Sequence, residues 1–126
     1  MNLDKARTHC DAVVGQIRSL YVGDELLVEK ILAAALANGH VLFEDNPGLG
    51  KTLLAKTLAF SIDCNFSRVQ CTSDLLPADI LGTNVWRPKN GSFELLKGPV
   101  FTNILLVDEV NRSPPKTQSA VLEVME

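Results

Sequence analysis

The sequence predicts an α/β fold with a parallel sheet, and three observations predict it. The apolar run His40-Val41-Leu42-Phe43 passes through the glycine-bearing turn Glu44-Asp45-Asn46-Pro47-Gly48-Leu49-Gly50-Lys51-Thr52 into the helical pattern Leu53–Ala59. A second run, Ile104-Leu105-Leu106-Val107, is apolar without alternation, as a strand covered on both faces reads, and it ends in Asp108-Glu109. Elsewhere apolar residues recur at steps of three and four, the period of amphipathic helices.

In chain order, Leu3, Ala6, Cys10, Val13, Val14, Ile17, Leu20 and Tyr21 mark a helix over residues 3–21. Val22-Gly23 interrupts it, and Asp24 is placed to cap a second helix over about 24–38. The second half of that helix is apolar almost all round and is expected to be covered on more than one side. Asn38-Gly39 stops it. His40–Phe43 is the first expected strand, followed by the turn and its helix. Residues 65–71 predict a second strand, and 72–82 an irregular stretch with short helical pieces. Residues 83–87 and 92–96 predict two short strands around Pro88-Lys89-Asn90-Gly91, a hairpin in which Trp86 packs. Ser113-Pro114-Pro115 opens a last helix, with Ser113 as cap and proline in the first turn. Gln118, Val121, Leu122 and Met125 share one face of it.

A strand, a glycine turn and a helix are the setting of a phosphate-binding loop. Gly48 and Gly50 let the backbone curl so that several N–H groups point at one spot, and the new helix adds unpaired N–H groups and a positive dipole end. Lys51 can reach terminal phosphates, and the Thr52 hydroxyl is placed to hold Mg²⁺. The usual pattern begins with glycine where this chain has Asp45. A carboxylate about 6 Å from a phosphate charge costs roughly 3 kcal/mol at an effective dielectric near 20, so binding is expected to be weakened and not abolished. The two acids of 104–109 lie at a strand's carboxyl end, where open α/β sheets bind ligands. Asp108 is expected to hold Mg²⁺ through water and Glu109 to orient or polarise the attacking water. The acids stand about 57 residues after Lys51, and each motif makes the other more specific.

Composition excludes other classes. With 46% hydrophobic and 21% charged residues and a net charge of −3, the chain reads as one ordinary soluble domain without a nucleic-acid surface. No apolar run approaches the roughly 20 residues that span a membrane, and the N-terminus has no export pattern. Cys10, Cys64 and Cys71 lack metal-ligand spacing and read as thiols of a reducing cytoplasm. His9 and His40 read as structural.

With these motifs placed, the chain resembles the MoxR family of AAA+ ATPases from about Val22 to Glu126. The resembling blocks are Gly39–Glu44, Pro47–Thr52, Asp74–Gly82, Gly98–Asn103 and Asp108–Ala120. The third and last are specific to that family rather than to phosphate-loop proteins generally. The resemblance implies a three-layer sandwich with a parallel sheet and a partial ATPase core over 22–126, which the amphipathic N-terminal helix of residues 1–21 precedes. That core would hold a P-loop at 45–52, a hairpin insertion at about 83–97 facing substrate or partner, and a Walker B strand at 104–109. The implied cofactors are ATP and Mg²⁺. Phosphates and nucleotide would be bound by Pro47, Gly48, Leu49, Gly50, Lys51, Thr52 and Leu53, with Val22 and Gly23 lining the adenine pocket. Thr52 and Asp108 would serve the metal, and Lys51 and Glu109 catalysis. Gln70 or Thr72 would contact Glu109 and restrain it. The implied activity is ATP hydrolysis in a homo-hexameric ring, driving chaperone-like remodelling or metal-centre insertion. A partner with a von Willebrand factor A domain is implied as well.

The resemblance also implies a strand order of five-one-four-three-two, with strand four, strand five and the helical lid falling after Glu126. The core is therefore expected to be incomplete at its C-terminus, as part of a longer ATPase, and to turn ATP over negligibly by itself. Two other readings stand beside it. One is a truncated, catalytically inactive chain that binds nucleotide weakly or contacts other subunits. The other is a phosphate-loop kinase, against which Asp108-Glu109 on a third strand and the family-specific blocks argue.

Overall fold

The computed structural model describes residues 2–44, 48 and 50–126. Its chain contacts divide at Cys64 into two units, Met1–Cys64 and Asn65–Glu126.

In the first unit, α1 runs Leu3–Leu20, α2 Glu25–Leu36 and α3 Lys51–Ser61. Asn2 starts α1 by accepting the Asp4 N–H at 3.0 Å, and Asp24 starts α2 by accepting the Leu26 N–H at 2.9 Å. Both side chains satisfy N–H groups that a helix leaves unpaired. Both α2 and α3 end in the same motif. Asn38 and Asp63 take left-handed backbone, and the N–H groups of Gly39 and Cys64 donate to Ala34 O and Ala59 O, each at 2.8 Å. α1 packs on α2 and on α3, and Val14, Ile17, Val28, Ile31, Leu32, Leu54 and Leu58 are buried.

Two expectations fail here. α2 is covered along Val28, Ile31 and Leu32, while Ala33, Ala35 and Leu36 are exposed. Its main neighbour is α1, and one helix covers one stripe. His40–Phe43 forms no strand. A strand exists through its ladder, and among the described residues the parallel pairing is taken up by two other segments. Val41 and Leu42 are accordingly exposed.

In the second unit, β1 (Phe66–Gln70) pairs in parallel with β4 (Ile104–Asp108), in the register Phe66↔Ile104 through Gln70↔Asp108. α4 (Pro77–Leu81) leads into the antiparallel hairpin β2 (Gly82–Arg87) and β3 (Ser92–Lys97). Trp86 and Phe93 face each other across it with ring centroids 5.2 Å apart, edge to face, as the hairpin reading expects. Gly82 has φ +92°, and a Cβ there would collide with the Leu96 carbonyl oxygen. Only glycine fits where the chain enters the hairpin. Val69, Ile80 and Val121 form the core, flanked by Leu75, Val100, Leu105 and Val107.

The last helix, α5 (Pro115–Val124), starts without Ser113. Ser113 instead ends the 3₁₀ turn Val110–Arg112, its hydroxyl donating to Val110 O at 2.7 Å. The Pro114 carbonyl accepts the first N–H groups inside α5, from Thr117 and Gln118. The first of two consecutive prolines holds extended backbone, and this moves the helix start one residue past the expected cap.

Candidate functional site

The glycine turn lies in the first unit. Gly48 has φ +95° and Gly50 φ +72°, ψ 21°, both at the positive φ that favours glycine. Gly50 is the residue before α3, and it offers no side chain to the helix's first N–H groups. Lys51 and Thr52 are the first two residues of α3, and no acid occupies its first turn. A helix start with a cation, no cap and no acid is locally unfavourable. The same features suit it to an external anion. The residues expected to complete the loop at Asp45, Pro47 and Leu49 lie outside the described residues.

Tyr21, which ends α1, stands behind this turn. A Cβ on Gly50 would sit 3.3 Å from its ring, and a Cβ on Gly23 would collide with that ring. Tyr21 is buried, whereas Val22 beside it is 99% exposed. Tyr21 thus joins the Val22-Gly23 interruption to the turn at Gly50. Sequence reading places it only on the apolar face of α1, because its contact with Gly50 spans residues far apart in the chain.

The acidic pair lies in the second unit. Asp108 ends β4 directly opposite Gln70, and Asp108 O accepts the Cys71 N–H at 2.9 Å. Glu109 follows with φ 56° and ψ 41°, a left-handed conformation costly for a residue with a side chain. It turns the chain out of the strand into Val110–Arg112, with the Arg112 N–H donating to Glu109 O at 2.9 Å. Its side chain is exposed. Burial pushes the neighbouring Cys71 thiol up, against a hydrogen bond with Ser113 that pulls it down, with the Asp108 charge adding to the rise.

The hydrogen bonds of Gln70 and Thr72 are not the expected ones to Glu109. Gln70 Oε1 accepts from Arg68 Nη2 at 2.9 Å, and the Thr72 hydroxyl donates to Asp74 Oδ1 at 2.6 Å. The same Arg68 Nη2 reaches Asp108 Oδ2 at 2.6 Å. Arg68 is therefore a residue of the acidic cluster that sequence reading missed. The available signal was its spacing from Gln70, since residues two apart on a strand share a face.

Among the described residues no three His, Cys, Asp or Glu side chains are grouped to hold a metal ion. The Thr52 hydroxyl in the first unit and the Asp108 carboxylate in the second are each oxygen donors of the kind a hard cation takes. Among the described residues no helix is long and apolar enough to cross a membrane.

This α/β fold, with a glycine turn opening a helix and a parallel strand ending in two acids, is that of part of an AAA+ domain. The chain belongs to the ATPase family associated with various cellular activities (AAA), whose profile matches residues 40–126. Its likeness is to MoxR-type members. It is 45% identical over 116 residues to the chaperone MoxR1 of Mycobacterium tuberculosis, covering 92% of this chain and 31% of that protein. It is 50% identical over 113 residues to the uncharacterized protein YeaC of Bacillus subtilis, covering 90% of this chain and 35% of that one. A crystal structure of a protein from Cytophaga hutchinsonii, assigned as an ATPase, superposes with a TM-score of 0.78 at 42% identity, over 98% of this chain and 39% of the other. The chain spans about a third of the length of the curated relatives it matches.

Proposed function

We propose that this chain supplies nucleotide-binding machinery to an ATPase that remodels other proteins. The observation that carries the reading is the start of α3, where Gly48 and Gly50 hold positive φ and an uncapped helix begins with Lys51-Thr52. In this reading the backbone N–H groups from Gly48 to Leu53 and the Lys51 ammonium bind phosphates, with Pro47 and Leu49 completing the loop. Val22 and Gly23 border the adenine, an arrangement supported by the Tyr21 ring, which lies close to both Gly23 and Gly50.

In this reading Thr52 would offer its hydroxyl to Mg²⁺ and Asp108 would accept from a water of the ion's shell. When bound, the ion neutralises phosphate charge. Glu109 accepts a proton from, or orients, the attacking water, and its strained backbone supports that role, since such conformations cluster at functional sites. Family membership and the likeness to a protein named as a chaperone support hydrolysis coupled to remodelling. Assembly as a homo-hexamer in the cytoplasm and a von Willebrand factor A domain partner extend the proposal.

The test is titration of the protein with a fluorescent ATP analogue in Mg²⁺, followed by a phosphate-release assay on the whole ATPase to which it supplies this machinery. Saturable binding lost in Lys51→Ala, with release lost in Glu109→Gln, is expected. Binding that Lys51→Ala does not change overturns the reading. Asp45 favours a second one, in which nucleotide is held weakly and not hydrolysed. Binding without phosphate release by the intact protein selects it.

A further inference from the structure

Resting on the nucleotide reading above, we propose that Arg68 is a positioning residue of the acidic cluster: it holds Asp108 as an ion pair that a divalent cation must loosen in order to bind.

The register sets Gln70 opposite Asp108 and Arg68 opposite Leu106. Arg68, Gln70, Leu106 and Asp108 therefore lie on one face of the pair, with Arg68 diagonal to Asp108, a separation long side chains span. One guanidinium nitrogen, Nη2, serves both Asp108 Oδ2 at 2.6 Å and Gln70 Oε1 at 2.9 Å. Ordinary surface ion pairs place two mobile side chains in water and are worth little. This pair differs in place. It sits at the carboxyl end of parallel strands, where this fold class binds ligands, and its side chains are 40% and 31% exposed. The guanidinium cannot lose its proton, so its charge is present at every working pH.

Two consequences follow for a cation. A carboxylate oxygen accepting a guanidinium N–H at 2.6 Å has less lone-pair capacity for a metal-bound water. The arginine's positive charge also opposes a second positive charge nearby. Both act in the same direction, so Arg68 lowers metal affinity. When Asp108 turns to the cation, Nη2 keeps Gln70 as its remaining partner, and cation binding is thereby linked to the end of β1.

The test uses the intact protein with Mn²⁺ as probe, followed by electron paramagnetic resonance in saturating ATPγS. Arg68→Gln is expected to tighten Mn²⁺ binding about fivefold, the most an exposed pair of this kind supplies. In an Asp108→Asn background the same change should have less than about half that effect, because the partner is gone. A folded Arg68→Gln protein with unchanged or weaker Mn²⁺ binding overturns the proposal and leaves Arg68 a brace between strands. Should Arg68→Gln fail to fold, Arg68→Lys decides. Its compact ammonium lacks the guanidinium's fork of donors, so affinity should rise about twofold, and affinity at or below the parent's overturns the proposal. A parent protein that binds no Mn²⁺–ATPγS removes the nucleotide reading and this proposal together. Binding by the parent that Lys51→Ala abolishes, with Arg68→Gln silent, removes this proposal alone.

Discussion

The hydroxyl of Thr117 donates to the carbonyl oxygen of Leu75 at 2.6 Å, joining α5 to the segment before α4 across 42 residues of chain. Thr117 has no exposed surface. Removing the donor leaves a carbonyl short of a partner in an apolar setting, which costs about 1–3 kcal/mol. Thr117→Val keeps the volume and loses the bond. It is expected to lower the unfolding free energy by that amount, read as a lower urea midpoint at unchanged slope, whereas Thr117→Ser should lie closer to the parent.

Gly82 provides the backbone counterpart. At φ +92°, with the Leu96 carbonyl where a Cβ would stand, Gly82→Ala must displace the hairpin's first residue pair, Gly82↔Lys97. The expected loss is about 2–4 kcal/mol in thermal or urea unfolding. The tryptophan emission of Trp86 should change with it, because Trp86 belongs to the same hairpin.

Glu109 separates stability from activity. Its left-handed backbone is strained for glutamate and free of strain for glycine. Glu109→Gly is expected to raise stability by about 0.5–1 kcal/mol while abolishing the proposed phosphate release. Equal loss of both would assign Glu109 a structural task.

Asp74 sets a pH dependence. The hydrogen bond from Thr72, and after it one from Asp74's own backbone N–H, hold its carboxyl below the ordinary carboxylate range. Since the folded value is the lower, the stabilisation is present above the unfolded value of about 3.9 and is lost as pH falls through the folded one. Carbon-13 NMR titration should show a depressed Asp74, returning toward ordinary in Thr72→Val. The carboxyl is fully exposed, so global stability should barely respond.

Much of the fold was legible because it rests on local rules. The periodicity of Leu3–Leu20, the Asp24 cap, the Asn38-Gly39 stop and the hairpin around Pro88–Gly91 each depend on neighbours a few residues away. His40–Phe43 and the second half of α2 were misread for the opposite reason. An apolar run states that a segment can be buried, and whether it is depends on partners elsewhere in the chain. Ser113 shows the same limit at short range, since either of two consecutive residues could have ended the turn before α5.

By itself the sequence determined the chemistry at each end of the proposed machinery: glycines where the backbone needs positive φ, Lys51-Thr52 at a helix start, and two acids after an apolar strand. These are properties of residue type and spacing, and they follow from backbone sterics and charge. Tertiary structure alone decided what the acids meet. The register of β1 on β4 brings Arg68 and Gln70 to Asp108, and a contact between residues 40 positions apart is set by strand pairing, which single-chain spacing does not encode.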